Sequence, residues 1–220
     1  MVIIFLTACQ DNEPVDHSGI PRSTQAIETD KVNIKFPVEA KLKTPDQVED
    51  TLTATVKGID FLITPTGKLF WGRNPGDTIH IFPDEIIEKA YLYLNKDILY
   101  LFYTETDFEG ATSRLEKINL TSRKKILKAE IPGFNLGLPY IVDNYAYVTA
   151  IGTAGKLNLD NGQYTYLYSK LYDHKKYSFN SFDSIVFKDD LTIFLSTNIN
   201  GKRVDSLIVN EKTNKHTIRK

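Results

Sequence analysis

An all-β fold built from repeated four-stranded antiparallel units is the architecture this sequence predicts, and three observations predict it. The palette is aromatic and β-branched, with Phe and Tyr present 12 times each and Met1 the single methionine, which suits pleated, half-buried surfaces. Apolar segments are short and closed off by Asn, Asp, Gly and Pro, as strands joined in hairpins are. The same turn-then-strand pattern also recurs along the chain. At 220 residues the chain has material for one domain with a sizeable core, assigned to residues 32–220.

The elements follow in order. Residues 1–9 form a short apolar leader, Val2 to Ala8, that ends at Cys9, the only cysteine. Residues 10–31 carry Pro14, Gly19 and Pro21 among Asp, Ser and Thr; such a stretch buries too little apolar surface to offset its ordering entropy and reads as a flexible tether. A coil of that length holds a domain on the order of 25 Å from its anchor. Past Val32, Thr44-Pro45-Asp46-Gln47 supplies a cap, a first-turn proline and a capping-box partner, so a helix is expected there, with Val48 and Leu52 on one face. A second helical turn is expected from Pro83, ahead of Ile86 and Ile87. Ala90–Leu94 and Ile98–Tyr103 flank Asn95-Lys96-Asp97 as a hairpin. Further strands are expected over 113–120, 125–131, 145–151, 163–171, 191–197, 204–209 and 215–219.

Three segments share one pattern, a turn residue followed by a β-rich run: Asp97-Ile98-Leu99-Tyr100-Leu101, Asn144-Tyr145-Ala146-Tyr147-Val148 and Asp190-Leu191-Thr192-Ile193-Phe194. They start at 97, 144 and 190, steps of 47 and 46. After each comes a strand end running into a polar turn, at Leu120-Thr121, Leu159-Asp160 and Val209-Asn210, with Ile63-Thr64-Pro65 as an earlier relative. A period of about 40 to 50 residues with four strands per unit is that of a propeller blade. Thr66-Gly67-Lys68-Leu69-Phe70-Trp71 resembles the blade ending of quinoprotein-type β-propeller repeats, a turn, Gly-Lys and then Trp. The resemblance implies about four propeller-like blades and carries no cofactor with it. A β-sandwich or a barrel remains the alternative, since hairpins fall at comparable spacing in either.

Leu6-Thr7-Ala8-Cys9 resembles the lipobox of bacterial lipoproteins. That resemblance implies that Cys9 receives a diacylglyceryl group, becomes the mature N-terminus and anchors the protein on the periplasmic side of a membrane or at the outer membrane. No Lys or Arg precedes the apolar run. Elsewhere no apolar stretch reaches the roughly 20 residues of a transmembrane helix.

The chemistry-bearing residues are sparse. With 27 basic against 28 acidic residues and a net charge of -1, no basic face is expected for nucleic acid. His17, His80, His174 and His216 are isolated, so no metal and no cofactor is expected. Glu105-Thr106-Asp107-Phe108-Glu109-Gly110 places carboxylates on alternate residues but lacks EF-hand spacing and reads as a solvated hairpin loop. No Gly-x-Ser-x-Gly elbow or Walker motif occurs, and no catalytic residue is nominated.

Binding candidates are better defined. Tyr164, Tyr166 and Tyr168 alternate, placing all three on one side of a strand, as do Tyr91 and Tyr93. Such a row is either a face for stacking on a ligand or partner, or core between sheets. Gly133-Phe134-Asn135-Leu136-Gly137-Leu138-Pro139, with Phe134, Asn135 and Leu136 at its tip, and Gly152-Thr153-Ala154-Gly155 are the expected recognition loops. The leading expectation is therefore a membrane-tethered, non-catalytic module that binds a protein or another ligand. An immunity protein against a toxin acting in the periplasm is one form of it. An envelope hydrolase acting on sugar or peptide, and an assembly role, stand as alternatives.

Overall fold

Alternating apolar side chains on short extended runs leave each sheet two faces to bury, and this chain buries them by stacking sheet on sheet. The structure, a computed structural model, describes residues 32–42, 51–65, 67–72, 77–81, 86–106, 110–133, 135–150, 153–169, 184–188, 190–197, 203–213 and 215–219. The leader, Cys9, the tether, and most of the two segments expected to be helical lie outside them.

Three two-residue strands come first, β1 (Ile34–Lys35), β2 (Val38–Glu39) and β3 (Lys41–Leu42). Four meanders follow. They are β4 (Leu52–Val56), β5 (Ile59–Ile63), β6 (Lys68–Trp71), β7 (Thr78–His80); β8 (Ile86–Asn95), β9 (Ile98–Thr106), β10 (Ala111–Asn119), β11 (Lys124–Ile131); β12 (Tyr140–Val142), β13 (Tyr145–Ala150), β14 (Thr153–Asn158), β15 (Tyr164–Ser169); and β16 (Ser184–Lys188), β17 (Leu191–Thr197), β18 (Arg203–Asn210), β19 (Lys215–Arg219). Each meander is one antiparallel sheet, so the described residues are all-β and contain no helix. Leu52, Ile86 and Ile87, expected in or beside helical turns, lie in strands: Leu52 pairs with Ile63, and Ile86 and Ile87 pair with Thr106 and Glu105. Cross-strand pairing overrides the local helical signal there.

The three short strands form a strap. β1 adds to β12 in the third sheet, β2 to β8 in the second and β3 to β4 in the first, so nine residues cross three sheets, each time on the first strand of the meander. Among the described residues no sheet closes on itself as a barrel, and four sheets rather than a sandwich's two share the cores.

Strand parity decides which core each side chain enters. In the second sheet Leu92, Leu94, Leu99 and Leu101 face the first sheet, packing on Leu52, Phe61, Ile63 and Leu69. Their neighbours Tyr91, Tyr100 and Phe102 face the third sheet, packing on Ile141, Ala146, Val148 and Leu157. A third core joins Tyr140, Tyr147 and Tyr168 to Ile185, Phe187, Phe194 and Leu207 of the fourth sheet. The sheets therefore stack in chain order through three cores.

The repeat is visible in the turns. The first-to-second turn of three sheets opens on a left-handed residue, Lys57, Lys96 or Asp143 (φ 51, 55 and 50). The third-to-fourth turn is capped by an asparagine at the strand end. Asn119 Oδ1 accepts the Ser122 N–H at 2.7 Å, Asn158 Oδ1 the Asp160 and Asn161 N–H groups, and Asn210 Oδ1 the Thr213 N–H at 3.0 Å. This corrects the equivalence read from the sequence: Ile63 ends the second strand of its sheet, not the third, and Gly67-Lys68 leads from the second-to-third connection into β6. Trp71, which carries the blade-ending resemblance, is buried in the first core.

Candidate functional site

The tyrosine row of β15 does not form one face. Leu157 pairs with Tyr164 and Gly155 with Tyr166, but Ala154 pairs with Tyr168, so β15 carries an extra residue at this point. The bulge turns the strand over: Tyr164 packs against the core shared with the second sheet, whereas Tyr168 enters the core shared with the fourth. Tyr166 is left 45% exposed, its ring edge-on to Tyr164 at 5.0 Å between centroids. Tyr91 is buried and Tyr93 half-buried, both in the second core.

The recognition loops also divide. Leu136 is fully buried in the second core, with its N–H donating to Thr104 Oγ1 at 3.2 Å. Asn135 is exposed and left-handed (φ 56), and Phe134 lies outside the described residues. Thr153, Ala154 and Gly155 are buried residues of β14 and not a loop. Gly155 is needed there because a Cβ would stand 2.4 Å from the Tyr164 ring and 2.5 Å from the Thr165 carbonyl oxygen. Of the nominated residues that the structure describes, only Asn135 and Tyr166 are exposed.

Charged groups missed in the sequence sit between strands and sheets instead. Glu105, expected in a solvated loop, is buried in β9 and ion-paired with Arg114 of β10. One strand further on, Glu116 has no exposed surface. It accepts the Tyr103 hydroxyl at 3.2 Å and lies 3.4 Å from Lys125 Nζ, which also donates to the Ile81 carbonyl oxygen beside the first sheet. Burial pushes the Glu116 carboxyl above its ordinary value, against the pull of Lys125 and Lys128 and the hydrogen bonds from Tyr103 and Lys125.

Between the third and fourth sheets Glu211 is the centre. Tyr147 Oη donates to it at 2.8 Å, Thr192 Oγ1 at 2.6 Å, and Lys156 through its ammonium. Burial works to raise the Glu211 carboxyl, but those three hydrogen bonds and the Lys156 charge outweigh it and hold the group below its ordinary value.

A rule links these contacts. Lys117 and Lys156 each stand two residues before a capping asparagine, and each reaches the next sheet's third-to-fourth turn. Lys117 donates to the Leu159 carbonyl oxygen at 3.1 Å, and Lys156 to Glu211. Each also lies over a tyrosine ring, Tyr100 at 5.3 Å and Tyr145 at 5.1 Å. Arg123 to Asp77, at 2.6 Å, ties the second sheet to the first.

Among the described residues no three His, Cys, Asp or Glu side chains gather as a metal ion would need, and no helix is long and apolar enough to cross a membrane. No protein-family model matches this chain, and a search of curated proteins finds no match.

Proposed function

We propose that this chain is a lipid-anchored, non-catalytic binding module of a bacterial envelope, tethered through an acylated Cys9 by residues 10–31. The observation that carries the non-catalytic part is where the buried acids go. Glu105, Glu116 and Glu211 are the groups best placed for acid–base work, and each is engaged by a cation, two of them in contacts that join sheets. Chemistry needs a group whose proton or lone pair is free to meet a substrate; here the fold uses them. Facing outward are Asn135, Tyr166, scattered apolar side chains such as Phe36, Leu42 and Ile86, and polar turns, a surface suited to a protein or another ligand.

The sheets are read as blades set around a common axis. Two features support this: the stacking follows chain order through shared cores, and the strap pairs with the first strand of each of three sheets, as a segment running along the inner edges of blades would. Membrane fractionation with acyl labelling tests the anchor. The native chain is expected in the membrane fraction carrying label, with Cys9→Ser released and unlabelled. A native chain that is soluble and unlabelled overturns the reading.

A further inference from the structure

We infer that the fourth sheet is a separately opening unit, latched to the third through Glu211. Topology comes first. The strap binds the first, second and third sheets with backbone pairs from one continuous segment, and Ala40 N–H donates to the Ala90 carbonyl oxygen at 2.9 Å within the same run. Among the described residues no strap strand reaches the fourth sheet, which has four strands where the others have five. It is also joined through one core only, whereas the second and third sheets each contribute to two.

The polar contacts divide the same way. The junction of the third and fourth sheets places one carboxylate, Glu211, at the meeting of Lys156 and Tyr147 from the third sheet with Thr192 from the fourth. Elements held by few independent contacts open at lower free energy than the whole molecule; here three donors drawn from both sheets meet on Glu211, beside a hydrogen bond between Tyr140 and the backbone of Ile185. The core that would part sets Tyr140, Tyr147 and Tyr168 of the third sheet against Phe187 and Phe194 of the fourth. Tyr147 stacks edge-on against Phe187 at 4.8 Å.

Native-state hydrogen exchange on the intact, full-length chain, read by mass spectrometry of peptides, tests this. Amides of β16–β19 are expected to exchange as one group ahead of those in β8–β10. Glu211→Gln is expected to accelerate that group by about tenfold, the scale of losing charged hydrogen bonds, and to leave β8–β10 unchanged. Thr192→Val, which keeps the side-chain shape and deletes one donor, is expected to give a smaller acceleration in the same segment. Exchange of all four sheets as one group overturns the inference. So does an equal acceleration of β8–β10 by Glu211→Gln.

Discussion

Two sheet junctions do the same job with the same residue type and opposite acidities. Between the first and second sheets Glu116 is wholly buried, and burial raises its carboxyl despite Tyr103 and Lys125. Between the third and fourth, Glu211 keeps some contact with solvent, and three donors pull it below its ordinary value. The difference teaches that an acid's role here is set by how many donors converge on it relative to the solvation it loses. Removing each side chain sharpens that comparison most. Glu116→Ala opens a void and deletes the acceptor shared by the Tyr103 hydroxyl and the Lys125 ammonium, so a loss of about 3 kcal/mol is expected, that of truncating a fully buried side chain. Glu211→Ala leaves partners that water can reach, and about 1 to 2 kcal/mol is expected. Urea denaturation measures both, and equal losses would break the distinction.

A steric change tests whether the second junction depends on sheet geometry rather than on charge. Gly155→Ala drives a methyl into the Tyr164 ring and the Thr165 carbonyl, which cannot both move aside. Overpacking of this kind costs about 2 kcal/mol. It also displaces the strand that carries Lys156, so the pH response assigned below to Glu211 should weaken with it.

The acidities themselves give opposite slopes. Glu116 has a folded pKa above the ordinary 4.5, so the folded state holds its proton more tightly than the unfolded chain. Stability falls as pH rises from 4.5 through the raised value. Glu211 has a folded pKa below 4.5, so its contribution is complete above 4.5 and is lost as pH falls through the lowered value. Glu116→Gln is therefore expected to flatten the stability profile on the neutral side, with little loss near neutrality. Glu211→Gln is expected to flatten it on the acid side while lowering stability near neutrality by about 1 kcal/mol. Denaturation midpoints measured across the acid-to-neutral range check both, and matching profiles for the two variants would contradict the assignment.

These junctions were illegible in the sequence while much of the strand pattern was not. The hairpin at Lys96-Asp97 and the strands opening at Tyr145 and Leu191 are local events, set by a turn residue and a β-rich run, and they fall where the pattern put them. Glu211 meets Tyr147 and Lys156 across 64 and 55 residues of chain, a proximity that only sheet stacking creates. The β15 row failed for a related reason: strict alternation says which side a residue takes only while the register holds, and the bulge opposite Ala154 and Gly155 breaks it. Gly155 itself suggested a loop because a glycine-rich run lacks strand propensity, yet the close approach of Tyr164 is what requires it.

The capping asparagines show a signal that was present and misread by one position. Residues 119, 158 and 210 stand 39 and 52 apart, and Leu120, Leu159 and Val209, the strand ends legible from the polar turns beside them, each lie one position from the side chain that closes the turn. Asn158→Ala removes the acceptor for two N–H groups in the turn that also receives Lys117, and a loss of about 1 kcal/mol is expected. Asn119→Ala deletes one such bond together with the donation of its amide to Asp97, in a turn tied to the first sheet through Arg123, so a loss of similar size is expected. If the caps matter only locally, neither variant changes the pH profiles of the two junctions. If Asn158→Ala shifts the Glu211 response, the turn positions Lys156 two residues away, and the repeat is a device for placing each lysine against the next sheet.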